Sequence, residues 1–193
     1  MFKFTKLGLS WLLFMGILLP QTPDTRNIKS IQAGTTIQRT QAAVNADIIN
    51  AKNFGAKADG LTDDGPAINS AIASSAVTNT VIPAGTYAVA TTVRVGSPFL
   101  TVSGSGKGGV TLKATTAVPY VLQVAPLTNN TADQVVIENL TIDCNHLATT
   151  GLYAHDQVKL VVRNVTVLNC TGDGIVGDIN YTAVVSADIT NAN

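Results

Sequence analysis

Charged side chains are scarce in this sequence and carry no excess of either sign. Only 12% of the 193 residues are charged, and 12 Lys and Arg residues balance 12 Asp and Glu residues. A nucleic acid or an anionic membrane surface attracts a protein through a net positive field, which this composition does not supply. We therefore expect no nucleic-acid partner, and contact with a membrane only through the N-terminal segment.

The sequence also lacks a hydrophobic run that comfortably spans a bilayer. The apolar run extends only from Leu7 to Leu19, follows two lysines and is ended by Pro20. A basic start followed by a short apolar stretch is typical of a secretory signal peptide. We assign residues 1–20 to a signal peptide and expect a secreted or periplasmic, extracellular protein. An uncleaved membrane tether is the alternative, because PQTPDTRN offers no clear small-x-small cleavage pattern.

The rest of the chain divides into a polar arm and one domain of ordinary size. Residues 21–46 have little periodic apolar signal, which indicates a linker or a loosely docked arm. Residues 47–193 are long enough to bury a core, and their abundance of Val, Thr, Ala, Asn and Gly favours strands and turns. Short strand patterns separated by Gly, Asn or Pro follow one another to the end of the chain, so we expect an all-β domain.

A single helix pattern interrupts the strands, directly after the acidic segment DGLTDD. Its apolar positions recur at helical spacing, and Pro66 is compatible with a first turn. Thr62 or Asp63 is placed to cap this helix, and the carboxylates of Asp63 and Asp64 suit its N-terminus. A helix-loop-helix calcium site starting at Asp59 would need a bidentate glutamate at its twelfth position, where Ser70 stands. We therefore predict a structural cap and no metal site here.

Segments near the C-terminus repeat one another at offsets of about 25 and about 22 residues, which indicates a solenoid. The longer offset superposes Ile137 on Val162 and Asn139 on Asn164, and the shorter offset carries Val162 to Val184. Strands that repeat about every 22–25 residues are the signature of coils stacked at about 4.8 Å. Asparagine at a sharp corner tolerates a left-handed backbone, so we predict that Asn139 and Asn164 form an asparagine ladder. Two independent loop asparagines are the alternative.

Cysteine is nearly absent, with Cys144 and Cys170 as the only two. This excludes a disulfide-rich scaffold, and their spacing fits no zinc motif. Successive coils lie close enough for one bridge. Under the longer offset, however, Cys170 aligns with Asn145, which disfavours the bridge, and a reduced Cys144 would simply pack in the core.

The stretch NFGAKADGLTDDGPAINSAI (residues 53–72), followed by TVIPAGTY and the GSG turn, resembles the N-terminal region of the pectate lyase superfamily, in its rhamnogalacturonase-like branch. The resemblance implies a right-handed parallel β-helix whose open N-terminal end is capped by a short α-helix. Two positions depart from the family pattern. Asn53 replaces an aspartate, and Ala58 replaces a glycine, which we expect to be tolerated only at negative φ.

Catalytic residues are less clear than the fold. Asp143, His155, Asp156 and Asp173 are weak candidates, since adjacent coils could place two carboxylates at the separation that glycan hydrolysis requires. Gly-Asp-Gly around Asp173 also reads as an ordinary turn. Elimination would instead need a base such as His or Tyr near a uronate carboxylate, or Arg or Lys beside calcium. Calcium is implied only by the resemblance, and the sequence itself indicates no cofactor.

Two functions remain compatible with these observations. The first is an exported hydrolase or lyase that acts on a polysaccharide, with no complete catalytic constellation identifiable. The second is a non-catalytic glycan-binding, adhesive or tailspike-like β-helix, or an inactive fragment. The sequence ends at DITNAN without a recognisable cap, so we expect only part of a β-helix.

Overall fold

The structure is a computed structural model of the chain. It describes residues 29–31, 38–40, 49–74, 79–97, 99–106, 108–125, 135–155, 159–177 and 182–190. The signal peptide predicted over residues 1–20 lies outside these ranges. Within them, no helix has the length and apolar character needed to cross a membrane.

Fifteen strands, one 3-10 helix and one α-helix make up the described structure. In chain order they are β1 (Lys29–Ile31), β2 (Gln38–Thr40), β3 (Ile49–Asn50), the 3-10 helix (Ala51–Phe54), β4 (Asp59–Asp63), α1 (Gly65–Ala73), β5 (Asn79–Ile82), β6 (Gly85–Val89), β7 (Val93–Val95), β8 (Thr101–Gly104), β9 (Val110–Ala114), β10 (Val118–Val124), β11 (Val135–Asp143), β12 (Ala148–Ala154), β13 (Lys159–Leu168), β14 (Ile175–Gly177) and β15 (Thr182–Thr190).

Contacts divide the chain into two compact units, residues 1–42 and residues 43–193. In the first unit, β1 and β2 pair antiparallel, with Lys29 opposite Thr40. The region predicted as a linker or arm thus contains a short two-stranded ribbon.

The second unit is a parallel β-helix with three faces. The first face stacks β3, β5, β8, β11, β13 and β15, and the second stacks β4, β6, β9 and the same three long strands. β11 serves both faces because its residues 136–138 pair with β8, whereas residues 141–143 pair with β9. The third face consists of β7, β10, β12 and β14. All these pairings are parallel, as expected for a solenoid in which each coil adds one strand to each face.

Asparagines form the corner between the first two faces. Asn139 and Asn164 have φ values of 59° and 52°, and Nδ2 of Asn164 donates a hydrogen bond of 2.7 Å to Oδ1 of Asn139. One coil earlier the corner holds Gly104, where a Cβ atom would clash with the carbonyl oxygen of Asn139. The left-handed backbone at this corner explains why Asn is used there, since its short polar side chain reduces the steric penalty.

The strand pairing between β11 and β13 agrees with the longer offset. The pairing between β13 and β15 agrees with the shorter offset only after the corner. Ile137 pairs with Val162, and Leu140 with Val165. Between β13 and β15, Val165 pairs with Ala187 as the shorter offset predicts, but Val162 pairs with Val185 rather than Val184. The prediction failed before the corner because a bulge between Arg163 and Val165 leaves Asn164 without an opposite residue in β15.

Branched aliphatic residues fill the interior between the three faces. Their side chains alternate inward along each strand and stack in columns, of which Val102–Ile137–Val162 on the first face and Val93–Leu122–Leu152 on the third are examples. Each such side chain contributes about 1.5–3 kcal/mol by its removal from water. The core therefore favours this register, because a one-residue slip would turn every column outward.

The helix α1 covers the N-terminal end of the solenoid. Its buried residues Ile68, Ala71 and Ile72 face the coil, and the helix contacts the 3-10 helix, β3, β5, β6 and β7. The predicted apolar face and the first-turn Pro66 are both present. The helix thus covers what would otherwise be open strand edges.

The acidic residues before α1 act differently from a simple helix cap. Thr62 lies in β4 and donates its hydroxyl to Asp59, so it does not cap the helix. Asp64 occupies the N-cap position without a side-chain cap bond. Its buried carboxylate instead accepts the backbone N–H groups of Lys57 at 2.6 Å and Ala58 at 3.1 Å. Thr62 and Asp64 therefore do not cap α1 through their side chains, because the preceding loop folds back and places its own N–H groups closer to the carboxylate of Asp64. The predicted contact with the helix start is made by Asp63, which accepts the N–H of Gly65.

Asp63 ties the start of α1 to the loop after β6. Its Oδ1 accepts the N–H groups of Gly65, Ala90 and Thr91, and its Oδ2 accepts the hydroxyl of Thr91 at 2.7 Å. Burial raises the pKa of this carboxyl, but the hydrogen bond from the Thr91 hydroxyl and those from the backbone outweigh burial and leave the pKa lowered. Asp63 is thus a junction between two coils.

Ala58 differs from the expectation of a negative φ. Its φ is 57°, in the left-handed region that the glycine of the family pattern would enter freely. The hydrogen bond from its N–H to Asp64 holds this conformation. The alanine is therefore tolerated at a positive φ because a buried carboxylate fixes the backbone.

Cys144 and Cys170 form a disulfide bond that joins two successive coils, with their Cα atoms 4.7 Å apart. The alignment of Cys170 with Asn145 disfavoured this bond, and that prediction was wrong. Asp143 pairs with Leu168, and directly beyond this pair the N–H of His146 donates to the carbonyl of Asn169. The two cysteines are therefore not partners in the strand register, but the chain bends at this corner and their Cα atoms come close enough for the bond.

Candidate functional site

The four weak catalytic candidates occupy different parts of the coil. Oδ1 of Asp143 accepts bonds from the N–H of Asn145 at 2.9 Å and from Nδ2 of Asn169 at 2.8 Å, which assigns this residue to the disulfide-bearing corner. Asp173 is exposed in the turn before β14. His155 is exposed directly after β12, and Asp156 lies outside the described residues.

The third face presents a row of outward side chains that the strand pattern of the sequence does not reveal. Parallel register aligns Arg94 of β7 with Gln123 of β10, Tyr153 of β12 and Val176 of β14. Arg94 is exposed, whereas its neighbours Val93 and Val95 are fully buried. Gln123 and Tyr153 are likewise partly exposed between buried residues. We call the aligned residues Arg94, Gln123, Tyr153 and Val176 the third-face column.

Aromatic rings extend this column sideways. The rings of Tyr120 and Tyr153 stack with their centroids 4.3 Å apart and their planes 9° from parallel. The ring of His155 lies 6.1 Å from that of Tyr153, at 13°. The two tyrosine rings thus lie face to face across two successive coils, and the imidazole lies beside Tyr153.

The helix α1 closes one end of the column. The side-chain amide of Asn69 accepts the N–H of Arg94 at 2.7 Å and donates to the carbonyl of Thr92 at 3.0 Å. This amide satisfies the edge of β7 in the place where a further strand would pair. The column therefore begins at α1 and runs away from it towards β14.

A pocket of about 230 Å³ lies at this closed end. It is formed by the last turns of α1, the end of β7 and the end of β10, through Asn69, Ile72, Ala73, Arg94, Gly96, Ser97, Gln123 and Ala125. Arg94 and Gln123 thus belong to both the pocket and the column. Of the described residues that line the pocket, none is acidic, and Arg94 is the cation.

Two further basic residues, Arg163 and Lys159, belong to β13 and not to the third face. Arg163 forms an ion pair with Glu138 between neighbouring coils of the first face, where the Arg163 side chain remains 59% exposed. Of Lys159 only the backbone is described. A uronate on the third face would therefore meet Arg94 rather than Arg163.

The described residues contain no group of three or more His, Cys, Asp or Glu side chains able to hold a metal ion. The carboxylates before α1 are directed at backbone N–H groups of their own loop and of the next coil. These residues do not fit the calcium that the family resemblance implies, because they already have protein donors. No chemical step is assigned to a metal.

Part of this site had a signal in the sequence. In VRV, LQV and LYA, one long polar or aromatic residue stands between buried apolar neighbours. The alignment of the three motifs was not recognisable, because the separations from Arg94 to Gln123 and from Gln123 to Tyr153 both exceed the repeat that the sequence shows.

Comparison with known proteins agrees with the architecture. Residues 48–132, a little under half of the chain, match a family model described as rhamnogalacturonase A/epimerase, pectate lyase-like. A search of curated protein sequences finds no significant match.

Solved structures with this fold are similar at low identity. ORF18 of Geobacillus virus E2 matches with a TM-score of 0.61 and 22% identity, covering 80% of this chain and 34% of that one. The A-module of the mannuronan C-5 epimerase AlgE6 of Azotobacter vinelandii matches with a TM-score of 0.57 and 22% identity, covering 69% and 40%. PfbA, a surface adhesin of Streptococcus pneumoniae, matches with a TM-score of 0.51 and 21% identity, covering 62% and 33%.

The chain therefore spans about a third to two-fifths of the length of these structures. The likenesses show the fold. Residues 48–132 are thus similar to the rhamnogalacturonase A/epimerase, pectate lyase-like family, and the chain shares the parallel β-helix fold of these structures.

Proposed function

We propose that this protein binds an acidic polysaccharide along the third-face column. The observation that carries the proposal is the alignment of Arg94, Gln123 and Tyr153 on three successive strands, with Tyr120 stacked beside Tyr153. Among the similar structures, a mannuronan epimerase acts on a polyuronate and another protein is a surface adhesin. These relatives support a polysaccharide as the partner.

Each residue type in the column suits one part of an acidic sugar chain. The stacked tyrosine rings offer apolar edges to the C–H groups of sugar rings and phenol hydroxyls to the sugar hydroxyls. The amide of Gln123 can both donate to and accept from sugar hydroxyls. The guanidinium of Arg94 pairs with a carboxylate through two parallel hydrogen bonds. The strand spacing of about 4.8 Å repeats these contacts along a line, as a polymer does.

Export is part of this proposal. The short apolar run after two lysines supports a signal peptide over residues 1–20. The disulfide between Cys144 and Cys170 supports an oxidising compartment, since such bonds persist mainly outside the cytosol. A secreted protein would also meet extracellular polysaccharide directly.

Uronate chemistry is a second candidate function, favoured by the ring contact between Tyr153 and His155. Elimination or epimerisation begins when a base removes the proton beside the uronate carboxylate. An imidazole near a phenol supplies a proton acceptor and a proton donor at neutral pH. Hydrolysis by paired carboxylates is less favoured, because the carboxylate of Asp143 is engaged at the corner.

Titration calorimetry with polygalacturonate, alginate and a neutral glucan tests binding. We expect the two polyuronates to bind and the glucan not to bind. Tyr153→Ala should weaken polyuronate binding by about tenfold, because the apolar contacts and hydrogen bond of one tyrosine contribute about 1–1.5 kcal/mol. Thr141→Ala, on the second face, is the control and should bind as the unmodified protein does. Equal loss in both variants, or none in either, would reject the proposed surface.

Catalysis is tested separately with the same polymers. Elimination produces an unsaturated sugar that absorbs in the ultraviolet, and epimerisation changes the anomeric proton signals in NMR spectra. His155→Asn should abolish either signal, whereas His146→Asn should not, because His146 lies in the corner after β11. Binding without any catalytic signal would leave the protein as a polysaccharide-binding module.

A further inference from the structure

The pocket at the closed end of the third-face column has the size and charge for a single acidic sugar. Its volume of about 230 Å³ is below the ~300–1,000 Å³ of pockets that hold drug-sized ligands, so it accommodates one sugar unit rather than an oligosaccharide. Arg94 and Gln123 form the wall shared with the column, and Ile72 and Ala73 form the wall on α1. Cationic, amide and apolar groups therefore converge on one small volume.

The position of α1 determines how a polymer can enter this pocket. The amide of Asn69 is bonded to both Arg94 and Thr92, which fastens the helix to the edge of β7. A sugar chain lying on the column from Tyr153 towards Arg94 therefore meets α1 directly after Arg94. Because the column stops at the helix, the chain has to stop there as well.

We propose that the pocket is a terminal subsite that holds the end residue of a uronate polymer, with the end carboxylate paired to Arg94. This inference rests on the proposed function of the column, and it adds that the protein recognises chain ends rather than internal stretches. The face of the end sugar packs against Ile72 and Ala73, and its hydroxyls are bonded by Gln123. The second sugar unit then lies over Gln123 and the third reaches Tyr153.

Binding of the protein to polygalacturonate fractions of different length tests whether it recognises chain ends. At equal mass concentration, a shortened fraction contains more ends. We expect the number of protein molecules bound per unit mass to rise in proportion to the number of ends. A binding capacity per unit mass that does not change on shortening would overturn the terminal subsite.

Two variants separate the pocket from the column. Ala73→Phe fills the pocket from the exposed last residue of α1 and leaves all charges in place. It should abolish the dependence on chain ends. Arg94→Ala should weaken binding of methyl galacturonide by at least about tenfold, whereas Lys113→Ala, which removes a cation from the second face, should have no effect. The methyl ester and inorganic sulfate are the comparison ligands, and both should bind at least tenfold more weakly than the uronate.

The results distinguish the two proposals. If Tyr153→Ala weakens polymer binding but Ala73→Phe leaves the end dependence unchanged, the terminal subsite is wrong and the polysaccharide surface stands. Sulfate binding as tight as uronate binding would show a general anion site and overturn the subsite in the same way. If Tyr153→Ala does not change polymer binding, the proposed function fails and the subsite fails with it.

Discussion

Asn164 donates a hydrogen bond of 2.7 Å to Asn139 on the preceding coil, and both residues have left-handed backbones. This pair holds the corner at which β11 and β13 pass from the first face to the second. The corner needs a residue that both tolerates positive φ and bonds to its neighbour, and asparagine meets both conditions.

Substitution at Asn164 should separate these two contributions. Asn164→Gly keeps the backbone conformation and loses the hydrogen bond, which costs about 0.5–1.5 kcal/mol. Asn164→Ala loses the bond and adds about 1–2 kcal/mol of backbone strain. Urea denaturation should therefore rank the unmodified protein above the glycine variant and the glycine variant above the alanine variant. Equal stability of the two variants would contradict the role of the left-handed backbone.

Reduction of the Cys144–Cys170 bond should destabilise the solenoid. The bond closes a loop with a sequence separation of 26, and cross-links of this size contribute about 2–4 kcal/mol, largely by restricting the unfolded chain. We expect dithiothreitol to lower the denaturation midpoint of the unmodified protein and to leave the Cys144→Ala/Cys170→Ala variant unchanged. Free thiols that react with iodoacetamide in urea before any reduction would contradict the bond.

Protonation of Asp63 should lower the stability of the protein at acidic pH. Folding lowers the pKa of Asp63 below the ordinary value of 3.8, so its contribution is complete above that value and is lost as the pH falls through the folded pKa. Asp63→Asn should be less stable than the unmodified protein at pH 7, by about 2 kcal/mol for the weakened hydrogen bonds. The difference should shrink as the pH falls below about 4, as measured by urea denaturation. Asp173→Asn, in an exposed turn, is the control.

Ionisation of Tyr87 should lower the stability of the protein at alkaline pH. Its side chain is fully buried and donates a bond of 2.7 Å to the carbonyl of Pro83. Burial, together with the charge of Asp64, raises the pKa of Tyr87 to about 12. Its contribution is therefore present below the unfolded pKa of about 10 and is lost as the pH rises through the folded value. In Tyr87→Phe, the fall in stability between about pH 10 and 12 should be smaller, as measured by urea denaturation.

Strand pairing could be predicted where the spacing of the paired strands equals the repeat seen in the sequence. β11 and β13 are long strands joined through one regular coil, so the longer offset gave their pairing directly. Other pairs are separated by insertions, and Thr101 pairs with Val136 across a stretch well beyond one repeat, which no fixed period reveals. The disulfide was disfavoured because its cysteines are not partners in the strand register, and the bend that brings them together is not visible in the strand pattern.

The candidate site was less predictable than the fold. His155 was considered from the sequence because imidazole can serve as a base. Tyr120, Tyr153 and Arg94 were missed, since their proximity depends on strands separated by more than the sequence repeat and on the position of α1 at the edge of β7. The acidic residues before α1 were predicted to cap this helix, whereas the carboxylates of Asp63 and Asp64 also accept backbone N–H groups of neighbouring loops.

The central claim is that an acidic polysaccharide lies on the third face. Backbone amide NMR shifts measured during titration with a polygalacturonate oligomer test this claim most directly, because they report all three faces at once. We predict that the largest changes fall on Arg94, Gln123, Tyr153 and their strand neighbours in β7, β10 and β12, with few on β8 or β9. Changes concentrated on the first or second face, or absent at saturating oligomer, would contradict the account.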